Sequence, residues 1–273
     1  MGRLDIWVID HRGAPTTSTN AFHAEWARVE KEQADPGQPE GEIIKKWNPR
    51  LHGSLDEKFY AETTAVHGAW KHYTSGLWDQ PEFIGFWGYR KYLWQSNWFS
   101  VPIARHCDQA PGWFYTARPY FDAYRNFLST WNGVAVKDLL AQCDILQAEP
   151  YTYTEMSSLA DFAKYCGSAT ATATLFETLK KHGCFDFYWN KTHPQFHMVT
   201  RWSTFDRMMR ELEPMREDLH MQGLDSTNED FKSRAGSYFM ERLYSMWLRH
   251  SGLKIIEVPL LYCRELGIKS ASW

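Results

Sequence analysis

Arg90 and Lys91 stand side by side directly behind the apolar run Phe83-Ile-Gly-Phe-Trp87, inside the segment Glu82–Trp94. An Arg fork matches two phosphate oxygens at once, and a Lys ammonium adds a mobile point charge. Such a pair, fixed behind a strand, suits the charge that develops on a diphosphate leaving group. Adjacent cations in a loop are equally what a solvated surface carries. Glu62 flanks the stripe Phe59, Val66 and Trp70 of an expected helix, so its carboxylate should be partly buried and in need of a partner. It would orient a hydroxyl or a phosphate-binding cation, or else cap or salt-bridge within the core. Glu241 lies nearly opposite the apolar face Phe239, Leu243, Met246 and Trp247, so it faces solvent or a cleft. In a cleft it could serve as a base beside a hydroxyl. Asp10 and His11 follow the first expected strand, where a nucleotide-binding α/β domain meets base or ribose. A turn role fits Asp10 as well.

The motifs that are missing narrow the chemistry. The chain has no GxxxxGK[ST], GxGxxG, HExxH or GxSxG, and its histidines are not at zinc-ligand spacing. It also has no Asp-x-Asp, the triplet with which many nucleotide-sugar transferases hold a divalent metal under the donor diphosphate. In such an enzyme other groups would have to neutralise the leaving diphosphate. Arg90 and Lys91 are the candidates, and the expected chemistry uses no metal held by that triplet. Whether a divalent ion takes part elsewhere is left open, and no other cofactor is expected.

Composition sets the outer limits. A chain of 273 residues with 44% hydrophobic and 23% charged residues can bury a sizeable core. The net charge of −3 gives no basic footprint for nucleic acid, although a local basic patch stays open. Five scattered cysteines without a CxxC, and an opening Met1-Gly-Arg-Leu-Asp5 that lacks signal-peptide character, point to reduced thiols in a cytoplasm. No run of 18 apolar residues spans a membrane. The 14 Trp are mostly core material, yet exposed rings also serve as flat platforms for sugars.

These residues need elements to hold them. Leu4–Ile9 reads as a buried strand ending in the turn-forming Asp10–Pro15, and Thr16–Ser54 is irregular. Leu55–Tyr73 reads as a helix capped by Ser54, and Phe83–Trp87 as a central strand with the cations at its carboxyl end. Further strands are expected at Cys143–Gln147, Gln195–Thr200 and Leu253–Val258, the last stopped by Pro259. Helices are expected within Leu159–His182 and over Phe205–Leu219 and Tyr238–Arg249. The alternation favours one α/β domain over 1–273, with a mostly parallel sheet flanked by helices.

In this order the pieces resemble a bacterial family once labelled a domain of unknown function, found in capsular and O-antigen polysaccharide gene clusters and assigned to GT-A-like glycosyltransferases. The family pattern has a Glu-Leu-Thr helix ending in Trp-Lys-Asn, and then His-Tyr-Arg-Arg-Tyr-Phe behind a strand. An Asn-Met-Phe strand, a Glu-Arg-Leu helix and a Lys-Ile-x-Glu-x-Pro strand follow. This chain has Glu62-Thr-Thr, Ala69-Trp-Lys-His72, Gly88-Tyr-Arg-Lys-Tyr-Leu93, Phe196-His-Met-Val199, Met240-Glu-Arg-Leu243 and Lys254-Ile-Ile-Glu-Val-Pro259. The likeness covers roughly 55–95 and 185–260, with a weaker match at the N-terminal strand; the stretch 96–184 does not align. Gly88 stands where the family has His, Lys91 where it has a second Arg, and His197 where it has Asn. The resemblance implies a GT-A-like fold and transfer from a nucleotide-diphosphate sugar to a glycan hydroxyl. It makes Arg90 the leading site residue, with Glu241 as the second catalytic candidate. Asp10, His11, Glu62, Tyr89, Lys91, His197 and Arg242 are expected to contact substrate. Two alternatives remain: the same transfer onto a modified base of phage-type DNA, and a non-catalytic carbohydrate-binding protein.

Overall fold

A computed structural model of the chain describes residues 3–9, 44–47, 62–88, 91–130, 134–154, 160–163, 169–183, 189–194, 196–222 and 235–264. The apolar run Leu4–Ile9 forms β1, which pairs in parallel with β2 (Ile44–Trp47) and β3 (Phe83–Gly88). Alternation along these strands divides their side chains between two cores. Trp7, Ile84 and Phe86 enter one; Leu4, Ile6, Phe83 and Trp87 enter the other. Between β1 and β3 runs helix α1 (Glu62–Thr74). It is tied to β1 by the Tyr73 hydroxyl, which donates to fully buried Asp5 at 2.6 Å. The expected start of this helix at Leu55 lies outside the described residues.

After β3 the chain returns as β4 (Lys91–Leu93), then makes the pair β5 (Ala104–Cys107) and β6 (Ala110–Ala117). Helices α2 (Arg118–Thr130) and α3 (Val134–Leu140) follow, then β7 (Ile145–Ala148) and β8 (Tyr151–Thr152). Helix α4 (Ala169–Lys181), β9 (Lys191–Thr192) and β10 (Met198–Arg201) lead into the long helix α5 (Trp202–Gln222). Helix α6 (Ala235–His250), β11 (Ile255–Val258) and β12 (Leu260–Arg264) complete the described fold.

Ten strands form one sheet whose main path runs β11-β7-β10-β3-β4-β12-β6-β5, with β1 and β2 branching from β3. The expected α/β class with helices on a central sheet holds. Pairings are of both kinds: parallel for β1–β2, β1–β3, β7–β11 and β6–β12, antiparallel for the other contacts of the main path. Val66, Trp70, Leu175, Phe205, Met208, Phe239 and Leu243, from α1, α4, α5 and α6, pack on one face. Phe121, Tyr124, Leu128 and Val136, from α2 and α3, pack on the other.

Two sequence expectations shift. Pro259 interrupts but does not end the sheet, because the chain continues at once into β12, which inserts between β4 and β6. Pro214 sits inside α5, which nonetheless extends past the expected bounds at both ends because its apolar face stays buried on the core. Among the described residues no helix is long and apolar enough to cross a membrane.

Candidate functional site

Gly88, the last residue of β3, pairs with Lys91, the first of β4, so only Tyr89 and Arg90 connect them. Tyr89, Arg90, Asp10, His11 and the side chain of Glu62 lie outside the described residues. Lys91, His197, Glu241 and Arg242 lie within them.

Lys91 pairs in register with Tyr262 of β12, which in turn pairs with Tyr115 of β6. This register carries the Lys91 ammonium over the Tyr262 ring, 5.4 Å from its centroid, within the range of cation–π attraction. Tyr262 also meets Trp113 at 5.5 Å, Tyr115 at 5.8 Å and His106 at 5.3 Å between ring centroids. Burial and the neighbouring Lys91 charge lower the pKa of His106, which favours a neutral ring at neutral pH. From Trp113 the rings continue to Tyr151 at 6.0 Å and on to Tyr153 at 5.0 Å.

Helix α6 supplies the opposing charges. Arg242 is only 5% exposed, and its guanidinium meets Asp161 and Glu241 at 2.7 Å each. It also donates to the Tyr153 hydroxyl at 3.4 Å. Burial works against its charge, yet Tyr153, Glu241 and Asp161 together raise its pKa. Arg242 is thus committed to protein carboxylates, while Glu241 keeps part of its surface open. Burial is the main cause that pushes the Tyr262 phenol well above its ordinary range, and the Glu241 charge adds to it. Lys91, Glu241 and Arg242 therefore belong to one neighbourhood, linked through the ring wall.

His197 occupies a different position. It is 8% exposed, and its Nε2 accepts a hydrogen bond from the Gly88 amide at 3.1 Å. That bond assigns the ring proton of the neutral form to Nδ1. A Cβ on residue 88 would lie 3.0 Å from the same Nε2, so a side chain there would have to push the imidazole aside. The backbone entering this position is strained: Phe196 has φ +52, unusual for an aromatic residue.

Three further groups meet near the carboxyl ends of β7 and β11; Glu149 and His193 had no motif to announce them, and Glu257 stood in the Lys254–Pro259 match without a role. Glu149 follows β7, and its carboxyl is raised by burial and by Glu257. Glu257 of β11 takes a 3.2 Å hydrogen bond from His193 Nε2, which lowers its pKa in spite of burial. His193 is 4% exposed, and its backbone amide donates to Ser245 of α6 at 2.9 Å. Gln147 lies beneath this group: Tyr244 of α6 donates to its oxygen, and its amide donates to Pro194 O at 3.3 Å. Carboxylates, cations and rings thus collect where β3, β7 and β11 end, the edge at which α/β sheets bind ligands. Among the described residues no group of His, Cys, Asp and Glu could hold a metal ion.

No family model and no curated protein matches the chain. One solved structure does, described as the apo form of the WbbM bifunctional glycosyltransferase, with a TM-score of 0.65 and 15% identity. The two chains share a fold. The match covers 96% of this chain and 45% of the other, so this chain spans less than half the length of that protein.

Proposed function

We propose that the chain is one GT-A-like domain that transfers a sugar from a nucleotide-diphosphate sugar to a hydroxyl of a glycan acceptor. The observation that carries this reading is the meeting of Lys91, the Trp113–Tyr262 ring wall and the carboxylates Glu149, Glu241 and Glu257 at one sheet edge. A sugar offers apolar C–H faces for rings and hydroxyls for carboxylates, and its donor offers a diphosphate for cations. The shared fold with a protein described as a glycosyltransferase supports the reading.

In this proposal Arg90 and Lys91 hold the diphosphate, Lys91 from the start of β4 and Arg90 from the residue before it. Asp10, His11 and Tyr89 contact the nucleotide side, and Glu62 orients a hydroxyl or a cation. Glu241, steadied by Arg242, faces the acceptor. The missing Asp-x-Asp motivates the expectation that these cations stand in for a metal held by that triplet. A cytoplasmic setting belongs to the same proposal and agrees with the free thiols of Cys107, Cys143 and Cys263.

The test is to incubate the purified chain with UDP-, GDP- and dTDP-sugars, with and without oligosaccharide acceptors. Nucleoside diphosphate release that rises with a particular acceptor is the expected result. No release and no calorimetric binding across the panel would sink the transferase reading and leave a carbohydrate-binding protein. Salt-sensitive binding of duplex DNA would move the acceptor to nucleic acid.

A further inference from the structure

Glu149 is held from three sides. Its amide donates to Val258 O at 2.9 Å, and its carbonyl accepts from Trp113 Nε1 at 2.6 Å. Its carboxylate lies against the backbone of β6 at Gly112, where a Cβ would fall 2.1 Å from the carboxyl carbon. A side chain at 112 and a carboxylate in this pose exclude each other, so the glycine keeps the seat open. Nothing among the described residues donates a hydrogen bond to that carboxylate or ion-pairs with it; Lys191 acts on it only at longer range. Its acceptor capacity is therefore unspent, unlike that of Glu241, which faces Arg242 at 2.7 Å, or Glu257, which faces His193.

Its surroundings are those of a sugar seat. The Trp113 indole, fixed by the bond to the Glu149 carbonyl, neighbours Tyr262 and Tyr151, and Lys91 sits over the Tyr262 ring. The charged neighbours are known. Glu257 repels a negative charge on Glu149, Lys191 favours it, and buried His193 stands behind Glu257. His193 Nδ1 is buried and has no partner among the described residues.

We infer that Glu149 is the catalytic base of the proposed transfer, receiving the acceptor hydroxyl over Gly112 beside the Trp113 ring. This rests on the reading given above. The step is a single displacement: the acceptor O–H bond breaks and its proton passes to the Glu149 carboxylate. The freed oxygen bonds to the anomeric carbon, and the bond from that carbon to the diphosphate oxygen breaks with its electron pair. The charge leaves on the diphosphate, against Arg90 and Lys91. The anomeric configuration inverts, and the diphosphate needs no proton to leave.

The experiment uses the full chain and the donor that the panel identifies. Glu149→Gln keeps shape and removes basicity. It should bind the nucleoside diphosphate within about twofold of the parent by calorimetry, while turnover falls by about 10²–10⁴-fold. The acid limb of the parent's kcat/KM profile should lie above the ordinary carboxylate range and vanish in the variant. Gly112→Ala displaces the carboxylate at little cost to the fold, because the obstructing atoms are the far end of a side chain that can swing away. It should lower turnover as well, and add nothing when combined with Glu149→Gln. A Glu149→Gln variant within threefold of the parent's turnover would remove Glu149 from the chemistry and leave the transferase reading standing. A product with retained configuration would overturn the single displacement. A parent chain that turns over no donor would bring down the transferase reading and this assignment together.

Discussion

The Gly88 amide donates to His197 Nε2 at 3.1 Å, although the two residues are 109 positions apart. The contact joins the carboxyl end of β3 to the amino end of β10, at the root of the connection that holds Arg90. Gly88→Ala would press a methyl against the imidazole at 3.0 Å, and His197→Ala would leave the amide without its acceptor. Each change is expected to destabilise by about 1–2 kcal/mol. The double variant should cost less than the sum, by on the order of 1 kcal/mol, because both singles break one contact. Urea unfolding of the four proteins measures the coupling; strict additivity would mean that the contact carries no energy.

If Arg90 and Lys91 hold a diphosphate as proposed, their loss should strike turnover rather than folding. Arg90→Ala is expected to lower kcat by roughly 10²-fold or more, the scale for removing a group that stabilises charge in a transition state. Lys91→Ala should cost less, since the Lys91 ammonium already shares its field with the Tyr262 ring. Nucleoside diphosphate release, followed with and without EDTA, tests both claims. Full loss in EDTA would contradict a metal-free site, and an Arg90→Ala protein as fast as the parent would clear Arg90 of any role.

The Arg242 network predicts a structural penalty. Arg242→Ala would take the guanidinium, 2.7 Å away, from Asp161 and leave that poorly solvated carboxylate only the Tyr153 hydroxyl at 2.9 Å, while Glu241, more open, would also lose its partner. Breaking one partner of a buried pair typically costs about 3–5 kcal/mol. A thermal midpoint unchanged by Arg242→Ala would show that these carboxylates find water instead. Arg242→Lys should recover only part of the loss, because one ammonium cannot reproduce the fork.

Acid stability has its own marker at the contact of α1 and α5. His67 Nε2 donates to Glu213 at 2.8 Å, and Arg216 reaches the same carboxylate at 2.8 Å and 2.9 Å. Burial works against the ionised form, but the bonds from Arg216 and His67 prevail and lower the pKa from 4.5 to about 2. A depressed folded-state value means stability that is present above pH 4.5 and lost as pH falls toward 2. After allowance for solvent screening the effect is on the order of 1–2 kcal/mol. The thermal midpoint should drop over that window in the parent and drop less in Glu213→Gln. Parallel curves for the two proteins would refute the assignment.

The sequence made some of this legible and hid the rest for identifiable reasons. Dense apolar runs disclosed β1 and β3, and helical spacing disclosed α5 and α6, because each element buries one continuous face. The pair β5–β6 escaped notice because Arg105 and His106 break the apolar pattern and Pro111-Gly112 imitates a turn. β12 was hidden behind Pro259. Glu241 and Lys91 were picked out by their elements and do border the candidate site. Glu149 was not, since Glu149-Pro150 after a short strand resembles any strand exit, and its meaning comes from Gly112, a residue remote in sequence. Gly88 and His197 each looked like an isolated departure from the family pattern, and only the three-dimensional contact joins them.

The insertion of β12 between β4 and β6 has a consequence for biogenesis. Among the described strands, the β5–β6 pair reaches the rest of the sheet only through β12. That pair carries His106, Trp113 and Tyr115, so half of the ring wall is synthesised long before the strand that seats it. Until β12 arrives, β6 offers an open edge on which a neighbouring chain could pair. Recovery of active protein should then depend on how quickly β12 is made and captured, through temperature and translation rate, more than on the stability of the finished fold.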